Sequence, residues 1–262
     1  MNFTLSNPEQ EACEAGLVSI VTPLYNSEEY IEETIRSVQA QTYARWEMII
    51  TDDGSTDGGF AKAQALAAQD SRIIVQKLER NGGSAKARNA GLKRARGQYI
   101  AFLDADDLYR PDFLEKQIGF LRAHGPLVYA SYERQAPNST TPFKVRERID
   151  YEALLRGNDI SCLTAMYDAG ALGKRYFRED LEKREDYAYW LALLKDTPCA
   201  YGNPEILATY RILSSSKSRN KFKVIKYFWR VFYGVERLGV IKSLLCMYAW
   251  AWYGTKKYRN VR

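Results

Sequence analysis

Only one histidine, His124, stands in the 262-residue chain. That scarcity excludes any metal site built from several imidazoles, and because His124 stands in a stretch that reads as a helix end it argues strongly against a histidine-dependent nucleophilic triad. Cysteine is nearly as sparse: Cys13, Cys162, Cys199 and Cys246 lie far apart and form no CxxC pair, so neither a disulfide framework nor a zinc site is expected and a reducing cytosol fits. No stretch of eighteen apolar residues occurs, so no segment is expected to span a bilayer. The opening residues lack a basic segment followed by an apolar one, and a secretory signal is not expected. Neither a GxGxxG dinucleotide turn nor a GxxxxGK[ST] phosphate loop is present, which argues against a dehydrogenase and against a P-loop enzyme.

What is present is ordinary globular material, 46% hydrophobic and 27% charged, enough for one α/β domain with an appendage. The net charge of +6 is unevenly spread: Lys217–Arg262 holds twelve Lys and Arg against one acid, Glu236, and the remainder has a net charge of −5. The basic character therefore belongs to the tail.

The first half alternates short β-branched apolar runs with helical spacings, the pattern of a mostly parallel sheet covered on both faces. Strands are expected at Leu17–Thr22, Glu47–Thr51, Arg72–Leu78, Gln98–Leu103 and Leu127–Tyr132. Helices are expected at Glu28–Gln41, Ala61–Ala68, Ser84–Ala95, Phe113–Ala123 and Asp186–Leu194, and Ala136–Thr141 has a loop composition. Three polar clusters follow strands: Pro23-Leu24-Tyr25-Asn26, Asp52-Asp53-Gly54-Ser55-Thr56-Asp57 and Asp104-Ala105-Asp106-Asp107. In open α/β sheets the carboxyl edge of the strands is where ligands bind. Two carboxylates one residue apart there can approach a hard divalent cation whose other positions are filled by diphosphate oxygens and water; an isolated DxD is more often a solvated turn.

A fourth segment, Asn81-Gly82-Gly83-Ser84-Ala85-Lys86-Ala87-Arg88-Asn89-Ala90-Gly91, lies between the third strand and the next helix. With these four pieces in order, Val18–Asp107 resembles the family 2 glycosyltransferases, inverting enzymes of the GT-A fold, and especially bacterial enzymes of surface-polysaccharide and teichuronic acid synthesis. The resemblance implies a GT-A-type, Rossmann-like, mostly parallel sheet flanked by helices, over residues 17–211. The donor half would be about 17–110 and the acceptor half about 111–211, preceded by an extension (1–16) and followed by a loop and helical tail (212–262).

It also implies roles. Pro23, Tyr25 and Asn26 become donor-site candidates, with Tyr25 offering its ring to a uracil and Glu28 near the ribose. Asp53 would accept the N3–H of the base, with Asn81 a second contact. Arg88, on the helix after the glycines, would face ribose or diphosphate. Within Asp104-Ala105-Asp106, Asp104 would lie near the ribose and Asp106 would hold Mn²⁺ or Mg²⁺, a Lewis acid for the leaving diphosphate. The pair Glu185-Asp186 resembles the family's acidic base, with Asp186 taking the acceptor proton and Glu185 supporting it; helix N-terminal capping is the structural alternative. Trp190, one turn on, either walls an acceptor sugar or fills the core. Arg211 and Lys217, around the Ser-rich stretch Ser214–Ser218, would neutralise the diphosphate, a plain linker being the alternative.

Phe222–Val235 and Val240–Tyr253 mix aromatic and basic residues at helical spacing. Such helices suit an anionic membrane interface; packing on the domain or on a second subunit, as in a homodimer, is the alternative. No nucleic-acid motif accompanies them. The expectation is thus an enzyme at the cytoplasmic face of the membrane that moves a sugar from a nucleotide-sugar to a lipid-linked saccharide acceptor. A sugar nucleotidyltransferase is disfavoured because PLYNSEEY is not its Gly-rich, Arg-containing loop. A non-catalytic carbohydrate- or nucleotide-binding scaffold is disfavoured by the coexistence of DAD and ED.

Overall fold

The computed structural model describes residues 13–213 and 221–259, with side chains over 13–213 and 225–253. The chain runs β1 (Glu14–Leu24), α1 (Ile31–Gln39), β2 (Trp46–Asp52), α2 (Gly59–Ala67), β3 (Ile73–Lys77), α3 (Ser84–Arg94) and β4 (Gly97–Phe102). It continues through β5 (Leu108–Tyr109), α4 (Phe113–His124), β6 (Leu127–Ala136), β7 (Ser139–Phe143), β8 (Arg148–Ile149) and α5 (Tyr151–Arg156). Then come β9 (Met166–Asp168), α6 (Ala169–Leu172), α7 (Glu185–Leu193), β10 (Ala200–Arg211), α8 (Lys221–Trp229), a π-helical turn Arg230–Val235 and α9 (Gly239–Arg259).

One sheet organises them, in the order β3-β2-β1-β4-β9-β6-β10-β5. The first four strands are parallel. The short β9 is antiparallel to both β4 and β6, and β6 with β10 is parallel again. The period-2 alternation of side chains sorts the strands into two cores. Ile20, Met48, Ile50 and Ala101 join α1, α2 and α4 on one face, while Val21, Ile49, Ile100 and Phe102 join α3 and α7 on the other. On α1, Ile31, Thr34, Ile35 and Val38 are buried at the i, i+3, i+4, i+7 spacing that places them on one face.

The sequence placed the first-half elements to within a few residues, and two readings need correcting. Ala136–Thr141 is not a loop: Ala136 pairs with Ser139, so only Pro137-Asn138 turn, and Ser139–Phe143 forms β7 against β6. A Pro-Asn pair that disfavours continued strand is what makes the tight reversal. The tail is also more integrated than a separate appendage. Phe228, Val231, Phe232 and Cys246 are buried in the same core as α7. Glu236 is held by Lys195 at 2.7 Å and Tyr151 at 2.5 Å, and the Tyr253 hydroxyl donates to Asp159 at 2.6 Å. Gly157 makes room for that tyrosine, since a Cβ there would lie 2.4 Å from its ring.

Candidate active site

Parallel register brings the predicted clusters together. Val21 of β1 pairs with Phe102 of β4, and Leu24 with Asp52 of β2, so Pro23-Tyr25, Asp52-Asp53 and Asp104-Asp106 leave neighbouring strands at one carboxyl edge. Backbone bonds continue the alignment past the strand ends: Asp53 N–H donates to the Leu24 carbonyl at 2.8 Å and Leu103 N–H to that of Val21 at 3.2 Å.

Asp53 is buried, and its two carboxylate oxygens accept the N–H groups of Gly82 and Gly83 at 2.6 and 2.8 Å. The anion cradled by the glycine loop is therefore the protein's own. Asn81 completes this latch by donating to the Asp53 carbonyl at 2.9 Å. Gly83, with φ +88°, supplies the left-handed turn into α3. Asn26 bridges the first two loops in the same way, its Oδ1 accepting from Thr56 N–H at 2.9 Å. Glu28 and Asp57 exchange bonds reciprocally, Glu28 N–H to Asp57 at 2.8 Å and Gly58 N–H to Glu28 at 2.9 Å. Asn26, Glu28 and Asn81 thus build the loops. Tyr25, by contrast, is 43% exposed.

Arg88 lies at the centre. Its side chain is 7% exposed and donates to Asp104 at 2.6 Å and to Glu185 at 3.5 Å. Burial alone would weaken its charge, but the two carboxylates outweigh that and raise its pKa. Ser84 Oγ donates to the same Glu185 oxygen at 2.5 Å. A connected path thus runs from the DAD turn through α3 to the first residue of α7. The next residue, Asp186, is half-buried and has no hydrogen bond or ion pair among the described residues.

On the other side of the turn, Thr34 Oγ1 is 3.0 Å from the Ala105 carbonyl and 2.9 Å from that of Asp107. The Asp107 carboxylate accepts the backbone N–H of Arg211 at 2.9 Å, pinning the end of β10 to the turn. Burial, then the charges of Asp104 and Asp106, hold the Asp107 carboxyl well above the usual range. Arg211 reaches the Asp106 carbonyl at 3.4 Å and pairs with Glu33, so it stands beside the turn. Lys217 lies outside the described residues.

Asp106 is the group in need of a counter-charge: burial and the neighbouring Asp104 push its pKa up to about 6. A hard carboxylate oxygen short of positive charge fits a divalent cation such as Mg²⁺ or Mn²⁺. Among the described residues no three His, Cys, Asp or Glu side chains converge to hold one. A cation at Asp106 would take its remaining oxygens from a ligand, which is the usual arrangement with phosphates.

Trp190 requires a correction. It is 0% exposed and packs edge-on against Phe102 at 5.9 Å and Tyr189 at 5.1 Å, so it fills the core and offers no face to a sugar. The sequence also missed Thr34, Ser84 and the structural use of Asp107. A hydroxyl inside a helix or at its start carries no pattern that distinguishes a site contact from a solvated one.

A sequence model of the family described as Glycosyl transferase family 2 matches residues 19–181. TuaG of Bacillus subtilis (strain 168), which carries the provisional name of a teichuronic acid biosynthesis glycosyltransferase, is 41% identical over 92% of this chain and 97% of its own. The Escherichia coli UDP-Glc:alpha-D-GlcNAc-diphosphoundecaprenol beta-1,3-glucosyltransferase WfgD is 40% identical over 82% of this chain and 85% of its own. Among solved structures, S. aureus TarS 1-349 in complex with UDP-GlcNAc is similar with a TM-score of 0.67 at 22% identity, covering 82% of this chain and 65% of that one. The Pyrobaculum calidifontis mannosyltransferase PcManGT, in complex with GDP-Man and Mn2+, has a TM-score of 0.65 at 17% identity, covering 94% of this chain and 72% of that one. These two likenesses establish the shared fold.

Proposed function

This chain belongs to glycosyl transferase family 2, and on that premise we propose that it transfers a sugar, with inversion, from a UDP-linked donor to a lipid-linked saccharide in bacterial surface-polysaccharide synthesis. The observation that carries the reading is the path Asp104–Arg88–Glu185, which joins the Asp106 turn to a helix whose second residue, Asp186, has no side-chain hydrogen bond or ion pair among the described residues. The donor and acceptor classes are supported by WfgD, whose name specifies UDP-Glc and a diphosphoundecaprenol-linked acceptor.

In the proposed reaction the acceptor hydroxyl attacks the anomeric carbon from the face opposite the leaving diphosphate, and Asp186 takes its proton. Glu185, held by Arg88 and Ser84, keeps the start of α7 in place. Tyr25 stacks on the base and Asp53 accepts from it with an oxygen lone pair left over from the glycine amides. Asp104 meets the ribose, and Pro23 shapes the strand end beneath it. Asp106 would hold Mn²⁺ or Mg²⁺, which would supply a Lewis acid for charge developing on the diphosphate, and Arg211 adds positive charge alongside.

A thermal-shift panel of UDP-glucose, UDP-N-acetylglucosamine and GDP-mannose, with and without Mn²⁺, tests the donor. Binding to the native state raises apparent stability by about 2.7 kcal/mol at a hundred times Kd. A UDP-sugar is expected to give the largest shift, and only with metal. A larger shift with GDP-mannose would sink the uracil assignment.

The tail supplies the membrane part of the proposal. No helix among the described residues is long and apolar enough to cross a membrane. One face of α9 nevertheless leaves Val240, Ile241, Leu244, Leu245, Tyr248 and Trp252 more than half exposed, within a segment of twelve basic residues and one acid. That combination suits an anionic lipid surface at the cytoplasmic face, where the basic residues meet headgroups and the apolar face enters the acyl boundary. Ile241→Glu with Trp252→Glu is expected to lower co-sedimentation with phosphatidylglycerol vesicles at least tenfold. Unchanged pelleting, or loss of a dimer instead, would assign this face to another partner.

A further inference from the structure

We propose that Arg184 is a positioning residue for Asp186, clamped from behind by the C-terminal helices; the inference rests on the assignment of Asp186 as the base. Arg184 caps the start of α7 in the left-handed conformation, φ 68° and ψ 19°, and its side chain makes no capping bond. Among the described residues only Asn26 and Arg237 share a positive φ without being glycine. Asparagine tolerates that region, whereas arginine gains nothing from it, and such a backbone is unfavourable unless its surroundings enforce it.

The surroundings are aromatic and come from the tail. The Arg184 guanidinium lies over the ring of Phe228 at 4.9 Å and that of Trp250 at 5.8 Å. Those two rings pack on each other at 4.0 Å, and Phe228 meets Tyr187 edge-on at 5.4 Å. Arg184 and Tyr187 therefore flank the acidic pair, and one buried phenylalanine on α8 touches both. Nearby contacts grip the same segment: Tyr227 donates to Glu182 at 3.0 Å and Arg230 pairs with Asp180 at 3.6 Å. The tail is itself anchored through Lys195–Glu236 and Lys242–Glu152, each at 2.7 Å.

The purpose follows from what Asp186 lacks. With no hydrogen bond or ion pair of its own among the described residues, its half-buried carboxylate takes its direction from the backbone that carries it. The residue before it fixes that backbone. A displacement of about 1 Å at a reacting group can cost about a hundredfold in rate, so a clamp on Arg184 and Tyr187 acts on turnover without touching substrate.

The test compares Arg184→Gly, Arg184→Lys, Phe228→Leu, Asp186→Ala and the double variant Arg184→Gly/Asp186→Ala, with UDP release from each UDP-sugar of the panel in Mn²⁺ as the readout. Glycine adopts φ 68° without strain, so Arg184→Gly is expected to fold with an undiminished Tm and bind UDP with Mn²⁺ as the native protein does. Its kcat is expected to fall ten- to a hundredfold with KM for the donor unchanged. Arg184→Lys, which keeps a cation for the rings, is expected to recover most of the loss, and Phe228→Leu to reproduce it. In the Asp186→Ala background, Arg184→Gly is expected to cause no further loss, because the residue acts through Asp186. A native kcat in Arg184→Gly, or losses that multiply in the double variant, would overturn the clamp while leaving the base assignment standing. Native turnover in Asp186→Ala would overturn the base assignment itself.

Discussion

Replacing Asp186 by alanine is expected to lower transfer about 10²–10⁴-fold, the range that a positioned general base contributes, with little change in nucleotide affinity or in Tm. The structure separates this outcome from the effect of disturbing its neighbour. Glu185 accepts from Ser84 at 2.5 Å and Arg88 at 3.5 Å, so Glu185→Ala leaves the buried Arg88 with one carboxylate fewer. Loss of a charged hydrogen-bond partner costs about 1.5–3 kcal/mol, and that variant is expected to be less stable as well as slower. Among the described residues Asp186 has no such partner to strand. A variant that is stable, binds UDP with Mn²⁺ and does not turn over identifies a chemical role, whereas one that loses stability in proportion to activity identifies a cap. Steady-state kinetics, titration calorimetry and thermal unfolding on the same preparations distinguish them, and retention of activity within tenfold would remove Asp186 as the base.

The contrast between these adjacent carboxylates also shows where sequence reasoning reached and where it stopped. The alternation of apolar runs and the turn residues after them placed β1 to β4 and their carboxyl edge, because strand burial on both faces leaves a strong local signal. β2 is buried at all seven positions. Juxtaposition of the DAD turn, Arg88, Glu185-Asp186 and Arg211 needed the resemblance as well, since no local pattern reports that positions 88 and 185 are neighbours. Side-chain assignments were less legible. Asp53 and Asn81 read as donor contacts, and their hydrogen bonds also stitch the glycine loop, because the same polar atoms suit either task. Trp190 was undecidable from spacing: an indole one turn after an acidic pair faces core or cleft depending on a rotation of the helix that only packing sets. Arg184 left no signal, as a left-handed arginine is invisible in sequence, and its aromatic partners lie more than forty positions away.

Asp106→Asn is expected to produce opposite changes in two observables. The folded protein raises this carboxyl from 3.8 to about 6, through burial first and the charge of Asp104 second. A group whose folded pKa is raised contributes stability that is fully present below its unfolded pKa and is lost as pH rises through the folded value. The window is therefore pH 4 to 6. Below it the native protein and the variant are expected to unfold alike, and above it the ionised Asp106 destabilises the native protein, so the neutral variant is expected to have the higher Tm at pH 7.5. With nucleotide and Mn²⁺ the order is expected to reverse. The metal needs the deprotonated carboxylate, so the native protein gains a large shift, which asparagine is expected to abolish together with turnover. Below pH 6 metal affinity of the native protein is expected to fall about tenfold per pH unit, as a proton competes for one ligand. Thermal unfolding of both proteins from pH 4 to 8, with and without UDP and Mn²⁺, measures each term. A variant less stable than the native protein at pH 7.5 would mean that Asp106 is held by favourable contacts, and a metal-dependent shift that survives the substitution would move the cation to Asp104. On the proposed role, the burial and Asp104 charge that disfavour an ionised Asp106 at neutral pH also favour a positively charged ligand beside it, so stability of the ligand-free protein and affinity for a metal-bound donor are expected to be set against each other by one carboxylate.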